Sequence, residues 1–215
     1  PETLRRLADV LEAASARIGR RVCLLSDEPY NRLVFDGTTF HSPAEFYPHT
    51  FIAYSYGKTH LSPGQRIGYV AMPPAMPDRE ALRQAIFAIQ VVSGWTFPNA
   101  VMQYALPRLE QFSIDVERLQ RRRDRLSDAL AGMGYRLQRP DGTFYLFPRS
   151  PIADDRAFTD LLARRDIFVL PGAMFETPGF FRISLTANDD MIERSLPGFA
   201  AAIHEAGREE AVATR

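Results

Sequence analysis

Two short apolar runs, Phe51 to Tyr54 and Ile67 to Ala71, are joined by the connection Ser55 to Arg66. Each run has the length of a strand. Parallel neighbours need a crossover of a dozen or more residues, usually a helix, and a connection that carries Pro63-Gly64 leaves little room for one. The spacing therefore predicts an antiparallel pair, with Lys58 at the carboxyl end of its first strand. Open α/β sheets gather ligands at that end.

Leu4, Leu7, Leu11, Ala14 and Ile18 recur at helical spacing between Pro1 and Gly19, which predicts a surface helix. Val22 to Asp27 follows as a nearly continuous apolar run ending in acid, the pattern of a parallel strand buried on both faces. Such a strand needs sheet neighbours, and some of them are expected outside this sequence. Phe35 to Pro48 reads as a loop, Asp78 to Ser93 as a helix closed by Gly94, and Pro98-Asn99 as the start of another that ends or kinks at Pro107. A long helix spans Phe112 to Met133, where Arg123 takes a place due to an apolar residue and is expected to lay its methylenes on the core with its head in water. Short strands at Tyr135–Gln138, Thr143–Phe147, Ile167–Leu170 and Phe181–Leu185 are expected around a helix at Phe158–Arg165. A closing helix, Asp189–His204, is followed by residues that fray from about Gly207. The change of pattern near Pro107 divides the chain into a partial large domain, 1–107, and a small α+β domain, 108–215.

Lysine plus arginine equals aspartate plus glutamate, 26 against 26, so no overall field favours nucleic acid or an anionic membrane as partner. Arg121-Arg122-Arg123 reads as a solvated helix face. No apolar run approaches a membrane span and the first residues carry no signal-peptide pattern, so the expected location is cytoplasmic. The single cysteine, Cys23, reads as core filler in a reducing compartment. His41, His49, His60 and His204 have no metal-ligand spacing, and no metal is expected. His60 borders the lysine by sequence alone. Trp95 and Phe97 read as core or dimer contact.

Lys58 is the sharpest candidate for chemistry, because a desolvated lysine loses its proton readily and attacks a carbonyl as an amine. A loop lysine is ordinarily a solvated charge, so its neighbours carry the argument. Ser55 offers a hydroxyl and Arg66 a planar cation for phosphate oxygens, and Asp27 at another strand end can pair with a protonated ring nitrogen. Ser55-Tyr56-Gly57-Lys58 also matches the S-x-x-K of serine acylases. Those need S-D-N and K-T-G as well, whereas Glu28 follows Ser26-Asp27 and His60 follows Lys58-Thr59 here. Arg182, on a strand with Phe181, Ile183 and Leu185, reads from spacing alone either as a solvated edge charge or as a ligand-binding group.

Four separated motifs, in order, resemble those of the class I/II aminotransferases, pyridoxal-phosphate enzymes of fold type I. Asp27-Glu28-Pro29-Tyr30 is similar to the family's D-x-x-Y, Ser55-Tyr56-Gly57-Lys58 to its S-x-x-K, Gln65-Arg66-Ile67-Gly68-Tyr69 to its R-x-G-Y, and Phe181-Arg182-Ile183-Ser184 to its late R-[IL]-[SC] strand. Pro171-Gly172-Ala173-Met174-Phe175 resembles its turn near the substrate. The resemblance implies an α/β fold: part of the mostly parallel sheet of the large domain, plus the small C-terminal domain. It implies pyridoxal 5'-phosphate as cofactor, in Schiff-base linkage to Lys58, with Asp27 on the pyridine nitrogen, Tyr30 on the phenolic oxygen, and Ser55 and Arg66 on the phosphate. Arg182 would hold the α-carboxylate of an amino acid whose amino group passes to a 2-oxo acid, in a chain that pairs as a homodimer.

The family's amino-terminal arm, glycine-containing phosphate loop, ring-stacking aromatic residue and N-P-x-N-P-x-G segment have no counterpart in these 215 residues. The expectation is thus a truncated aminotransferase. The alternatives are an inactive remnant or interaction domain that keeps the motifs, and another enzyme of the scaffold such as a lyase or decarboxylase.

Overall fold

The computed structural model describes residues 1–95, 97–112 and 114–213, without the side chains of 208–213. The chain divides into two compact units, one of residues 1–34 and 38–114, the other of residues 35–37 and 115–215.

In the first unit, α1 (Glu2–Ile18) ends at Gly19, whose left-handed φ of 65° closes the helix. Three strands follow: β1 (Leu24–Asp27), β2 (Thr50–Ser55) and β3 (Gly68–Ala71), in the order β1-β2-β3. β1 runs parallel to β2, with Asp27 opposite Ala53, and β3 runs antiparallel to β2, with Ser55 opposite Gly68. Gly68 is required there, because a Cβ would lie 2.2 Å from the Tyr54 carbonyl oxygen. The antiparallel pair is the one that the short connection predicts.

β1 departs from its expected burial on both faces. It is an edge strand of the three, one face is open, and Leu25 is 67% exposed. Cys23 is exposed for the same reason and is not core filler. The helices α3 (Arg79–Val92) and α4 (Ala100–Leu109) bury no residue fully. Asp78 precedes α3, but in a left-handed conformation (φ 57°) that turns its carboxylate away from the helix amides; it pairs instead with Arg21 at 3.2 Å. Asn99 does cap α4, accepting from the Met102 amide at 3.1 Å, and Pro107 sits inside that helix rather than ending it. Trp95 and Phe97 are 81% and 85% exposed, so neither belongs to the core of this chain.

The second unit is built on α5 (Val116–Gly132), α6 (Asp155–Ala163) and α7 (Asp189–Ala213), with a sheet of order β4-β6-β5 from β4 (Tyr145–Leu146), β5 (Leu170–Pro171) and β6 (Phe181–Ser184). Both pairings are antiparallel. Leu126, Leu130, Phe158, Leu162, Phe181 and Phe199 form its buried core. Tyr135 stands among Phe158, Phe181 and Phe199 at centroid distances of 5.9 to 6.1 Å and donates its hydroxyl to the Phe199 carbonyl at 2.9 Å. That role takes the Tyr135–Gln138 segment out of any ladder, so the strand expected there does not form. Ile167 likewise returns its amide to Leu162 at the end of α6, which delays β5 to Leu170. Helix α7 continues past His204, and the side chains beyond Gly207 lie outside the described residues.

Two of the three consecutive arginines are not solvated. Arg122 pairs with Asp189, and Arg123, 1% exposed, is bonded to Asp36, Asp124 and the Pro140 carbonyl with its guanidinium 4.6 Å from the Phe35 ring centroid. An arginine at an apolar position of α5 is therefore buried through its partners rather than by snorkelling. Among the described residues no helix is long and apolar enough to cross a membrane.

Candidate cofactor site

Because β1 and β2 are parallel, their carboxyl ends lie side by side, and the chain leaves both in tight turns. β1 delivers Asp27, then Glu28, Pro29 and Tyr30. β2 delivers Ser55, which opens the single helical turn α2 (Tyr56–Thr59) and accepts from the Gly57 amide at 3.4 Å. Lys58 is on that turn, with its Nζ 5.8 Å from the centroid of the Tyr30 ring. The two turns are tied together by Thr59, which is fully buried. Its Oγ1 lies 2.7 Å from the Tyr54 hydroxyl and donates to the Pro29 carbonyl at 3.4 Å.

Arg66 comes from the other side of the same sheet end. It follows the 3-10 turn Pro63–Gln65 in a left-handed conformation, φ 45°, and donates to the Pro63 carbonyl at 3.1 Å. The Tyr56 amide bonds the Ile67 carbonyl at 3.1 Å, so the lysine turn and the arginine strand are in register. Five of the six expected residues, Asp27, Tyr30, Ser55, Lys58 and Arg66, thus meet at one end of one three-stranded sheet. Arg182 lies on β6 in the second unit.

Several participants carry no sequence signal. Tyr56, Tyr54 and Ile67 form a buried cluster under the lysine turn, against Met102 and Leu106 of α4. The Glu110 carboxylate lies near the Tyr56 hydroxyl and pairs with Arg32, 78 residues away in the chain. Burial first, then the nearby Glu110 carboxylate, pushes the Tyr56 hydroxyl far above the usual phenol range. The Arg32 guanidinium holds Glu110 below the usual carboxylate range. His60 stacks on Tyr56 at 5.9 Å with rings 5° from parallel. The Asn31 Oδ1 and His60 Nε2 atoms are buried and have no hydrogen-bond partner among the described residues. Only the order of the chain around Lys58 and Tyr30 hints at either.

The donor set is chemically consistent with a phosphorylated aldehyde that carries a protonatable ring nitrogen. A hydroxyl and a guanidinium suit phosphate oxygens, a carboxylate suits a ring N–H, and an amine suits a carbonyl carbon. One feature of composition sharpens this: Lys58 is the sole lysine among the 26 basic residues, all others being arginine. An amine can form a covalent bond to a carbonyl carbon and a guanidinium does not, so the chain's one side-chain amine lies at this turn.

The chain is similar to known proteins over most of its length. The family model described as aminotransferase class I and II matches residues 2–197. The aspartate/prephenate aminotransferase of Thermus thermophilus is 32% identical over 92% of this chain and 52% of its own length, and the tyrosine aminotransferase of Caenorhabditis elegans is 28% identical over 82% and 40%. Among solved structures, an aminotransferase from Eubacterium rectale superimposes with a TM-score of 0.89 at 31% identity, covering 95% of this chain and 52% of that one. The aspartate aminotransferase of Thermotoga maritima gives 0.82 at 25% identity. The chain spans about half the length of the relatives it matches, so its α/β architecture is part of fold type I. This chain belongs to the class I and II aminotransferase family.

Proposed function

We propose that this chain carries the lysine side of a pyridoxal 5'-phosphate site and that the protein transfers an amino group between an amino acid and a 2-oxo acid. The observation that supports this most is the placement of the chain's only lysine, Lys58, on a capped turn beside Tyr30 and next to the strand end that bears Asp27. When bound, the cofactor supplies a protonated ring that draws electrons from the substrate's α-carbon.

Each residue has a task in this reading. Asp27 accepts the ring N–H and keeps that nitrogen charged. Tyr30 donates its hydroxyl to the phenolic oxygen. Ser55 and Arg66 donate to the phosphate and fix the ring's orientation before reaction. Lys58 would be the covalent attachment point; when free, its Nζ would carry the proton from the substrate α-carbon to the cofactor, the relocation that amino transfer requires. Arg182 grips the α-carboxylate with its fork of N–H groups. The family's homodimer is part of this reading; the exposed apolar side chains on and after α3, Phe87, Ile89, Val92, Trp95 and Phe97, favour cover by another surface, from a second copy or from further residues of the protein.

The test is turnover. The protein with added pyridoxal 5'-phosphate is given each of the twenty L-amino acids with 2-oxoglutarate, and 2-oxo acid formation is followed by mass spectrometry. Transamination that disappears in Lys58→Ala supports the reading. Carbon dioxide or an eliminated fragment in place of a 2-oxo acid would instead indicate a decarboxylase or lyase.

A further inference from the structure

The guanidinium of Arg182 rests on two aromatic rings at once, 4.2 Å from the centroid of Tyr145 and 4.1 Å from that of Phe175. The rings arrive by separate routes. Tyr145 stands opposite Ser184 in the β4–β6 register, which puts it on the same sheet face as Arg182, two residues along. Phe175 ends the 3-10 turn Gly172–Phe175. That turn is pinned by Asp155, 3% exposed, whose Oδ2 accepts from the Ala173 and Gly179 amides at 2.9 Å each.

Among the described residues, carboxylates hold some of the arginines of this unit and not others, and Arg182 is among those without one. Arg118, Arg122, Arg123, Arg125, Arg139 and Arg165, in the same unit, are each held by a carboxylate. Among the described residues none pairs with Arg182, although it is half-buried. Aromatic faces stabilise the cation and cover its planar surface, while they leave its N–H edge, the part that forks onto a carboxylate, available for a ligand.

We propose that Tyr145 and Phe175 are positioning residues: they hold the Arg182 guanidinium plane so that its N–H edge meets the substrate carboxylate. The proposal rests on the aminotransferase reading above. The rings fix a long side chain before the ligand arrives, so less ordering remains to be done on binding.

The experiment uses the whole protein loaded with pyridoxal 5'-phosphate and the L-amino acid that the parent turns over best. Tyr145→Leu and Phe175→Leu should each raise KM, by about 5-fold to 30-fold together, with kcat little changed, while Tyr145→Phe and Phe175→Tyr stay near the parent. A second readout needs no turnover: the Arg182 side-chain N–H resonance in the unloaded protein should lie upfield from ring currents and return toward ordinary values in either leucine variant. If Phe175→Leu does not fold, Tyr145→Leu carries both readouts. Parental KM and an unmoved resonance in the leucine variants, with a raised KM in Arg182→Ala, would overturn the positioning role and leave the carboxylate role standing. An unchanged KM in Arg182→Ala would overturn both.

Discussion

Arg123 and Asp36, 87 residues apart in the chain, are joined by two parallel hydrogen bonds, Nη1 to Oδ2 at 2.7 Å and Nη2 to Oδ1 at 3.0 Å. The pair draws the short segment Phe35–Gly37 into the same unit as α5. The Phe35 amide strengthens that attachment by donating to the Asp141 carbonyl at 2.8 Å.

Arg123→Ala should therefore destabilise the second unit by about 3 kcal/mol, through lost charged hydrogen bonds and lost packing of the methylenes. Arg123→Lys should recover less than half, because an ammonium cannot make the fork. Urea unfolding followed by circular dichroism measures both. A loss under about 1 kcal/mol in Arg123→Ala would show that water takes over the role of the pair.

Acid should weaken the joint between α5 and α7. Arg118 and Arg122 pull the Asp189 carboxyl down to about 2, below its unfolded value of about 4. A depressed folded value gives stability that is complete above the unfolded value and fades as pH falls through the folded one. The midpoint difference between the parent and Asp189→Asn should thus be full above about pH 4 and close toward pH 2. Asp189 is exposed, so the difference should also shrink in molar salt. A difference that stays constant from pH 6 to pH 2 would rule out this pair as its source.

The turn that carries Phe175 has two vulnerable points. At Gly172 a Cβ would meet the Thr177 carbonyl oxygen at 2.2 Å, so Gly172→Ala must displace backbone. Asp155→Ala leaves the part-buried Ala173 and Gly179 amides without their acceptor and should cost about 2 kcal/mol. Both variants should lower the melting temperature, and the Phe175 ring protons should shift in NMR spectra. Parental melting in both would mean that the turn is not held as described.

Phosphate anchoring is separable from covalent attachment. Ser55→Ala and Arg66→Ala should each weaken pyridoxal 5'-phosphate binding by about tenfold to a hundredfold, and should leave pyridoxal, which has no phosphate, bound as before. Equal losses for both ligands would assign these residues to the fold of the lysine turn instead.

Much of the first unit was legible because its signals are local. The short Ser55–Arg66 connection dictates an antiparallel β2–β3 pair, and the acid, serine, lysine and arginine that end or follow strands can only gather where those strands end. What escaped depends on distant partners. Arg123 looks like a solvated charge until Asp36 is placed beside it, and Glu110 is unremarkable until Arg32 and Tyr56 converge on it. Periodicity likewise predicted strands at Tyr135 and Ile167. Their apolar side chains do enter the core, but Tyr135 sits in an aromatic cluster and the Ile167 amide belongs to the end of α6. The missed burial at Leu25 and Cys23 has the same origin, since an apolar run reports what a strand would cover and not whether a cover is present.

The most direct test of the cofactor site uses the fact that this sequence has one lysine. The protein is incubated with pyridoxal 5'-phosphate, reduced with borohydride, digested and analysed by mass spectrometry, with Lys58→Arg as control. The expected result is one phosphopyridoxyl group on the Lys58 peptide, absent from the control and lost when a substrate amino acid is added before reduction. An unmodified Lys58, or a modification that no amino acid displaces, would contradict the account.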